Sequence, residues 1–340
     1  MDPEFIVYET SNVELCVDQS GRKVIENLED GSQFVLERTI GKGSFSKVKL
    51  AVRHWEDEEG NQFQAQYAIK AMNKAILKRQ RCVLYDSQNN MQMTNNLEKV
   101  MNEIFIWKQL CDKNIVRLYE VINDSKEDFI YCVMEYADLG QIMTWNLGDQ
   151  KYDINLSIVA KLKEAHPQLF SKYSDTEASA KVIFSKVFEG VAYLHSSQKN
   201  IIHKDLKPDN ILFSSFDMNI KITDFTISQQ LNNPESLCFN PPGTTPFQSP
   251  ESMFSGNGYS GHKSDIWAVG VCMYAYLNEG KLPFWDKESE IATQMSIQNQ
   301  EPEYCFAEPL KELMKGILCK DPQQRLRLED IQEHSWFKIV

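Results

Sequence analysis

The chain has no C-x-x-C pair among its eight cysteines (Cys16, Cys82, Cys111, Cys132, Cys238, Cys272, Cys305 and Cys319), and no stretch where four oxygen ligands alternate as in a calcium loop. The first absence removes the usual zinc and redox signatures, and the second removes direct calcium sensing. The thiols, most of them set in apolar runs, read as reduced core cysteines of an intracellular protein, with Cys238 in a polar stretch expected to be exposed. No apolar run approaches the ~20 residues that cross a bilayer, and the amino terminus lacks a charged start followed by an apolar signal core. Met1-Asp2-Pro3-Glu4-Phe5 looks like a vector-derived leader. Basic residues are few, 36 against 48 acidic ones, for a net charge of -12. That balance disfavours nucleic acid and anionic membranes as partners. Apolar residues make up 42% of 340 positions, enough for a large core and about two domains.

One stretch organises the rest: Ile201-Ile202-His203-Lys204-Asp205-Leu206-Lys207-Pro208-Asp209-Asn210-Ile211-Leu212, followed by Ile220-Lys221-Ile222-Thr223-Asp224-Phe225-Thr226. Two apolar runs flank a polar turn that holds carboxylates, an amide and a lysine. Asp205 can accept a proton from a hydroxyl nucleophile, Asn210 and Asp224 offer oxygens to magnesium, and Lys207 stands beside a moving phosphate. A solvated loop between buried strands would explain the polarity but not this order of residues. The two segments resemble the catalytic loop and magnesium loop of a eukaryotic protein kinase.

The resemblance runs from about residue 34 to 337 and implies an α+β, bilobal protein kinase fold. The mostly β amino-terminal lobe would cover 34–136 and the larger, mostly α carboxy-terminal lobe 137–337, after an extension 1–33 in which residues 13–17 and 23–28 alternate as a hairpin. Within the first lobe, Ile40, Gly41, Gly43, Ser46 and Val48 form a glycine-rich turn that brings backbone amides to phosphates; Ser46 stands where the family has a third glycine. Lys70, in the strand that begins near Ala68, is implied to meet the α- and β-phosphates of ATP. Its ion-pair partner is Glu103 on a helical pattern over 97–110, with Glu98 as the alternative. Residues 74–96 between them read as polar and irregular. Met134 is implied to close the back of the adenine pocket, the backbones of Glu135 and Ala137 to bond the base, and Ala68 and Leu212 to sandwich it.

Further on, residues 146–173 exceed what the family needs between its first lower-lobe helices. Ser174 to Glu177 reads as a capping box for a helix ending near His195. Residues 226–249 resemble an activation segment, whose Thr244 would orient Lys207 and the acceptor hydroxyl. Asp265, at the start of an apolar helix, is expected to be buried and to hold the catalytic-loop backbone, and Arg325 to pair with Glu251.

Asp205-x-Lys207 and Gly243-Thr244 resemble serine/threonine rather than tyrosine kinases. Residues 139–143 after the hinge and the insert that follows Lys70 look most like calcium/calmodulin-dependent protein kinase kinase, while His203-Lys204-Asp205 and Phe247-Gln248-Ser249-Pro250-Glu251 are similar to the liver kinase B family. The implied reaction is transfer of the γ-phosphate of ATP, with Mg2+, to Ser or Thr of a protein substrate, in the cytoplasm with the nucleus as alternative. Calmodulin is expected as a partner only through a segment outside this chain. Lys204 replaces the family's arginine, whose planar fork binds a loop phosphate, so activity independent of loop phosphorylation is expected. Thr226 replaces a glycine and is expected to slow switching of the magnesium loop. The rival reading is a pseudokinase scaffold; Ser46, Lys204 and Thr226 favour it, but none removes the general base or a metal ligand.

Overall fold

The computed structural model describes residues 6–43, 45–56, 59–85, 91–239, 243–253 and 255–338; residues 1–5, part of the polar insert (86–90) and residues 240–242 lie outside these. Contacts divide the chain into two compact units. One comprises Met1–Leu84, Met91–Cys111 and Val116–Tyr136, and the other Tyr85–Asn90, Asp112–Ile115 and Ala137–Val340.

The first unit is built on an eight-stranded sheet of β1 (Tyr8–Thr10), β2 (Val13–Val17), β3 (Lys23–Asn27), β4 (Gln33–Lys42), β5 (Ser46–Glu56) and β6 (Gln62–Asn73), with two later strands described below. After β6 come α1 (Lys74–Arg79), the ribbon β7 (Arg81–Tyr85) and β8 (Met91–Asn95), α2 (Asn96–Trp107), and the sheet strands β9 (Leu118–Ile122) and β10 (Phe129–Glu135). The spatial order is β1-β9-β10-β6-β5-β4-β3-β2. Only residues 11 and 12 separate β1 from β2, a gap that three peptide units bridge over at most ~11 Å. The two ends of the sheet must therefore curl together. The seam is closed by Asn123 N–H to Thr10 O (2.9 Å) and Val13 N–H to Asp124 Oδ2 (3.2 Å). Inside the curl, Val13 on the β2 edge and Ile122 in β9, next to the β1 edge, share one core with Ile25, Phe34, Ile69 and Val133.

Within the polar 74–96 stretch, residues 74–85 and 91–95 carry more regular structure than their polarity predicts. Asn73 caps α1 by accepting from Ile76 N–H (3.0 Å), and Leu77 supplies its single buried anchor. Asn95 in turn caps α2, accepting from Leu97 N–H and Glu98 N–H.

The second unit contains β11 (Gly140–Gln141), a hairpin of β12 (Met143–Asn146) and β13 (Lys151–Ile154), and then α3 (Leu156–Ala165), α4 (Pro167–Lys172) and α5 (Asp175–His195). The catalytic-loop strands follow as β14 (Ile201–Ile202), β15 (Ile211–Ser214), β16 (Asn219–Ile222) and β17 (Gln229–Gln230); the helices α6 (Gly261–Leu277), α7 (Glu290–Asn299), α8 (Leu310–Ile317) and α9 (Leu328–Gln332) complete it. Helix α6 is apolar on all faces and almost wholly buried, as a helix at the centre of a domain must be. Arg325, buried at its base, holds Glu251 through two parallel bonds of 2.6 and 2.8 Å.

At the start of α5 half of the expected capping box forms. Ser174 Oγ accepts from Glu177 N–H at 3.2 Å, but the Glu177 carboxylate takes the indole N–H of Trp336 (3.0 Å) instead of returning to the cap. Among the described residues no helix is long and apolar enough to cross a membrane.

Candidate active site

In the second unit the site is assembled from Asp265 outward. This carboxylate, one turn into α6 and 1% exposed, accepts the backbone N–H of His203 on Oδ2 and that of Lys204 on Oδ1, both at 2.9 Å. His195 Nε2, at 2.9 Å, donates a third bond. Burial would raise the Asp265 pKa, but the bond and charge of His195, with help from His203, outweigh it and the carboxyl lies below its ordinary value. It therefore stays ionised and can hold Lys204 at φ +69°, a left-handed conformation that a lysine avoids unless its surroundings impose it.

The turn that Asp265 fixes presents Asp205 to a closed triangle. Lys207 Nζ donates to Asp205 Oδ2 and to Thr244 Oγ1, each at 2.8 Å, while Thr244 donates its hydroxyl to Asp205 Oδ1 at 2.8 Å. Asn210 Nδ2 donates to the Asp205 carbonyl (2.8 Å) and to Oδ2 (3.2 Å). The activation segment reaches this triangle through Gly243, whose N–H donates to Lys204 O (3.0 Å). A side chain at 243 would collide with the Asp205 carboxylate, so the close approach requires glycine there.

Asp224 follows strand β16 and is tied to the same loop. Thr223 N–H donates to Asn210 O (3.0 Å), and His203 Nε2 donates to Thr223 O (3.0 Å). Phe225, fully buried, packs its ring 5.2 Å from that of His203. Asp224 itself sits at φ +67°, and Thr226 Oγ1 donates to its Oδ1. Among the described residues no cluster of three His, Cys, Asp or Glu side chains makes a self-sufficient metal cage. The donors at hand are the Asp224 carboxylate and the amide oxygen of Asn210, whose nitrogen is used on Asp205. Such a hard and incomplete set fits Mg2+ that brings further oxygens from phosphates.

The first unit holds the other predicted residues. Lys70 in β6 lies opposite Val48 on one side and Cys132 on the other, and its Nζ is 2.6 Å from Glu103 Oε1 on α2. Glu98, the alternative partner, takes the hydroxyl of Thr94 instead. Burial and then the Glu103 charge push the neighbouring Cys132 thiol up to about 12, so it is inert beside the pair. Gly41 lies opposite Val48 in the β4–β5 turn, and Ile40 beside it is half-buried. Gly43 N–H donates to Ser46 O (2.9 Å), and Ser46 Oγ fills the space a side chain at 43 would need. Ala68 and Met134 are direct neighbours across β6 and β10, both buried, and Glu135 N–H is taken by Arg117 O (2.8 Å). In the second unit, Ala137 O accepts from Gly140 N–H (3.1 Å), and Leu212 lies in β15 opposite Gln141.

Several contacts had no sequence signal. The hairpin β12–β13 brings Tyr152, whose hydroxyl donates to Asp209 Oδ2 (2.9 Å); burial and the Asp209 charge raise this phenol and keep it a donor. Gln141 Nε2 donates to Asp209 O at 3.3 Å. The expected exposure of Cys238 is wrong: its side chain is buried with Ile202, Leu231 and Tyr259, and its backbone exchanges two 2.8 Å bonds with Tyr259. The apolar partners come from segments distant in sequence, so the polar neighbours of Cys238 in the chain do not report its burial.

The protein kinase domain model matches residues 34–337. The chain is 33% identical over 335 residues to the serine/threonine-protein kinase GRIK1 of Arabidopsis thaliana, covering 98% of this chain and 72% of that protein. It is 33% identical over 313 residues to a probable serine/threonine-protein kinase of Dictyostelium discoideum, 91% of this chain and 38% of the relative. To the calcium/calmodulin-dependent protein kinase kinase of Caenorhabditis elegans it is 30% identical over 319 residues, 90% of this chain and 52% of that one. With the family model spanning most of its length, and a catalytic loop ordered around Asp205 and Asp265, this chain belongs to the protein kinase domain family as a eukaryotic serine/threonine protein kinase.

Proposed function

We propose that the chain is an active, ATP- and Mg2+-dependent enzyme of the kinase-kinase type, transferring the γ-phosphate to a serine or threonine on a protein that is itself a kinase. The observation that carries the active reading is the Asp205–Thr244–Lys207 triangle with its 2.8 Å sides. Asp205 Oδ1 and Thr244 Oγ1 together orient an acceptor hydroxyl, and Asp205 takes up its proton as the oxygen attacks the γ-phosphorus and the bond from that phosphorus to the β-phosphate oxygen breaks, releasing ADP. Lys207, already fixed by both, offsets charge on the moving phosphoryl group. Lys70 steadies the α- and β-phosphates and Glu103 positions Lys70. Magnesium, when bound, neutralises phosphate charge; Asp224 and Asn210 would hold it. In the first unit Gly41, Gly43 and Ser46 offer backbone amides to phosphates, Ile40, Val48, Ala68 and Met134 offer apolar surface, and Glu135 offers its backbone carbonyl to a purine; in the second, Ala137 offers its backbone N–H and Leu212 an apolar side chain.

The pseudokinase alternative draws on Ser46, Lys204 and Thr226, yet each substitution leaves the triangle and both metal ligands present. The kinase-kinase assignment rests on the named relative from Caenorhabditis elegans and on the residues after the hinge. A calmodulin target would lie outside this chain. The Lys204 ammonium reaches Gln229 Oε1 at 3.4 Å, a neutral acceptor inside the activation segment, which supports activity without loop phosphorylation. Incubation with radiolabelled ATP and a kinase activation-loop peptide, before and after phosphatase treatment of the enzyme, tests the proposal. Label on Ser or Thr at an undiminished rate is expected. Label on Tyr, or complete loss of activity after phosphatase treatment, contradicts it.

A further inference from the structure

Thr226 stands where the family pattern has glycine, and the backbone there needs no glycine. Ser228 N–H donates to Phe225 O at 3.1 Å, closing a turn over 225–228. The left-handed angle of this region is at Asp224, φ +67°, and neither Thr226 nor Ile227 has a positive φ. That pattern excludes the turn types that demand glycine at the first or second central position. The turn is fixed on both flanks: Phe225 is buried against His203, and Ser228 Oγ donates to His203 O at 3.1 Å. Held this way, Thr226 delivers its hydroxyl to Asp224 Oδ1.

We propose that Thr226 is a positioning residue for the divalent cation: its hydroxyl fixes the plane of the Asp224 carboxylate in the orientation that binds Mg2+, a role a glycine side chain cannot fill. The inference rests on the reading of Asp224 as a metal ligand. A strained backbone at Asp224 leaves the side-chain torsions as the remaining freedom, and a hydrogen bond to one carboxylate oxygen removes most of it. Partners that orient a metal ligand typically contribute about 10- to 100-fold in metal affinity.

The test is titration of the full chain, loaded with ADP, with Mn2+ followed by electron paramagnetic resonance. ADP affinity in the presence of EDTA serves as the control for folding. Thr226→Val and Thr226→Gly are expected to weaken Mn2+ binding about tenfold, with Thr226→Ser close to wild type and ADP affinity without metal unchanged in all three. The glycine variant keeps the experiment decisive should the valine variant fold poorly. Wild-type Mn2+ affinity in Thr226→Gly, alongside a loss in Asp224→Asn, overturns the role of Thr226 alone. Unchanged affinity in Asp224→Asn overturns the metal-ligand reading and the inference with it.

Discussion

The carboxylate of Asp265 receives the backbone N–H of Lys204 at 2.9 Å while Lys204 stands at φ +69°. A buried anion and a strained main chain are coupled: the catalytic turn keeps its shape only because an acceptor lies beneath it. Replacing Asp265 by Ala leaves the amides of His203 and Lys204 buried without this partner and removes the restraint on the turn. The expected cost is about 3 kcal/mol or more in unfolding free energy, read from urea denaturation, with phosphotransfer reduced by more than about 100-fold. A variant as stable and active as the parent would show that the turn holds itself.

The same cluster predicts a pH dependence. His262, whose ring centroid lies 4.7 Å from that of His195, has its pKa lowered from 6.5 to about 4 by burial and then by the His195 charge. The folded state thus binds fewer protons than the unfolded state between about pH 4 and 6.5, so stability rises with pH across that window and its contribution is complete above 6.5. Asp265, depressed in the folded state, adds stability above its ordinary value that is lost only at more acidic pH. Denaturation at pH 5 and pH 7.5 should show the loss on acidification, and His262→Gln should shrink the difference. An equal difference in parent and variant would place the effect on other groups.

Thiol chemistry separates the cysteines. Burial pushes Cys238 up to about 11, while Cys111 and Cys305 are exposed. Brief native alkylation with iodoacetamide at neutral pH should label Cys111 and Cys305 and spare Cys238 and Cys132, as peptide mass spectrometry would read. Early labelling of Cys238 would mean that the activation segment is not anchored by its bridge to Tyr259.

The catalytic loop, the Lys70 strand and the Asp265 helix were legible because each combines a rigid apolar element with a few polar residues at fixed spacing. Glu103 could be singled out from Glu98 only by helical phase, and the structure brings it, not Glu98, to Lys70. Less was legible where order comes from remote partners. The ribbon β7–β8 and helix α1 lie in a polar sequence and depend on caps and one buried leucine. The closure of the sheet by β1 depends on pairing with β9, more than a hundred residues away, which no local pattern encodes. The hairpin β12–β13 reads as a charged insert until Tyr152 is seen bonded to Asp209.

Phosphoryl transfer is the reaction that the Asp205 triangle is proposed to perform. It is tested most directly by measuring transfer from radiolabelled ATP to a Ser/Thr peptide by the parent chain beside Asp205→Ala and Lys70→Met. Incorporation by the parent, with both variants reduced by at least about 100-fold, is the predicted result. Equal background in all three proteins would contradict it and leave a scaffold that carries the fold without the chemistry.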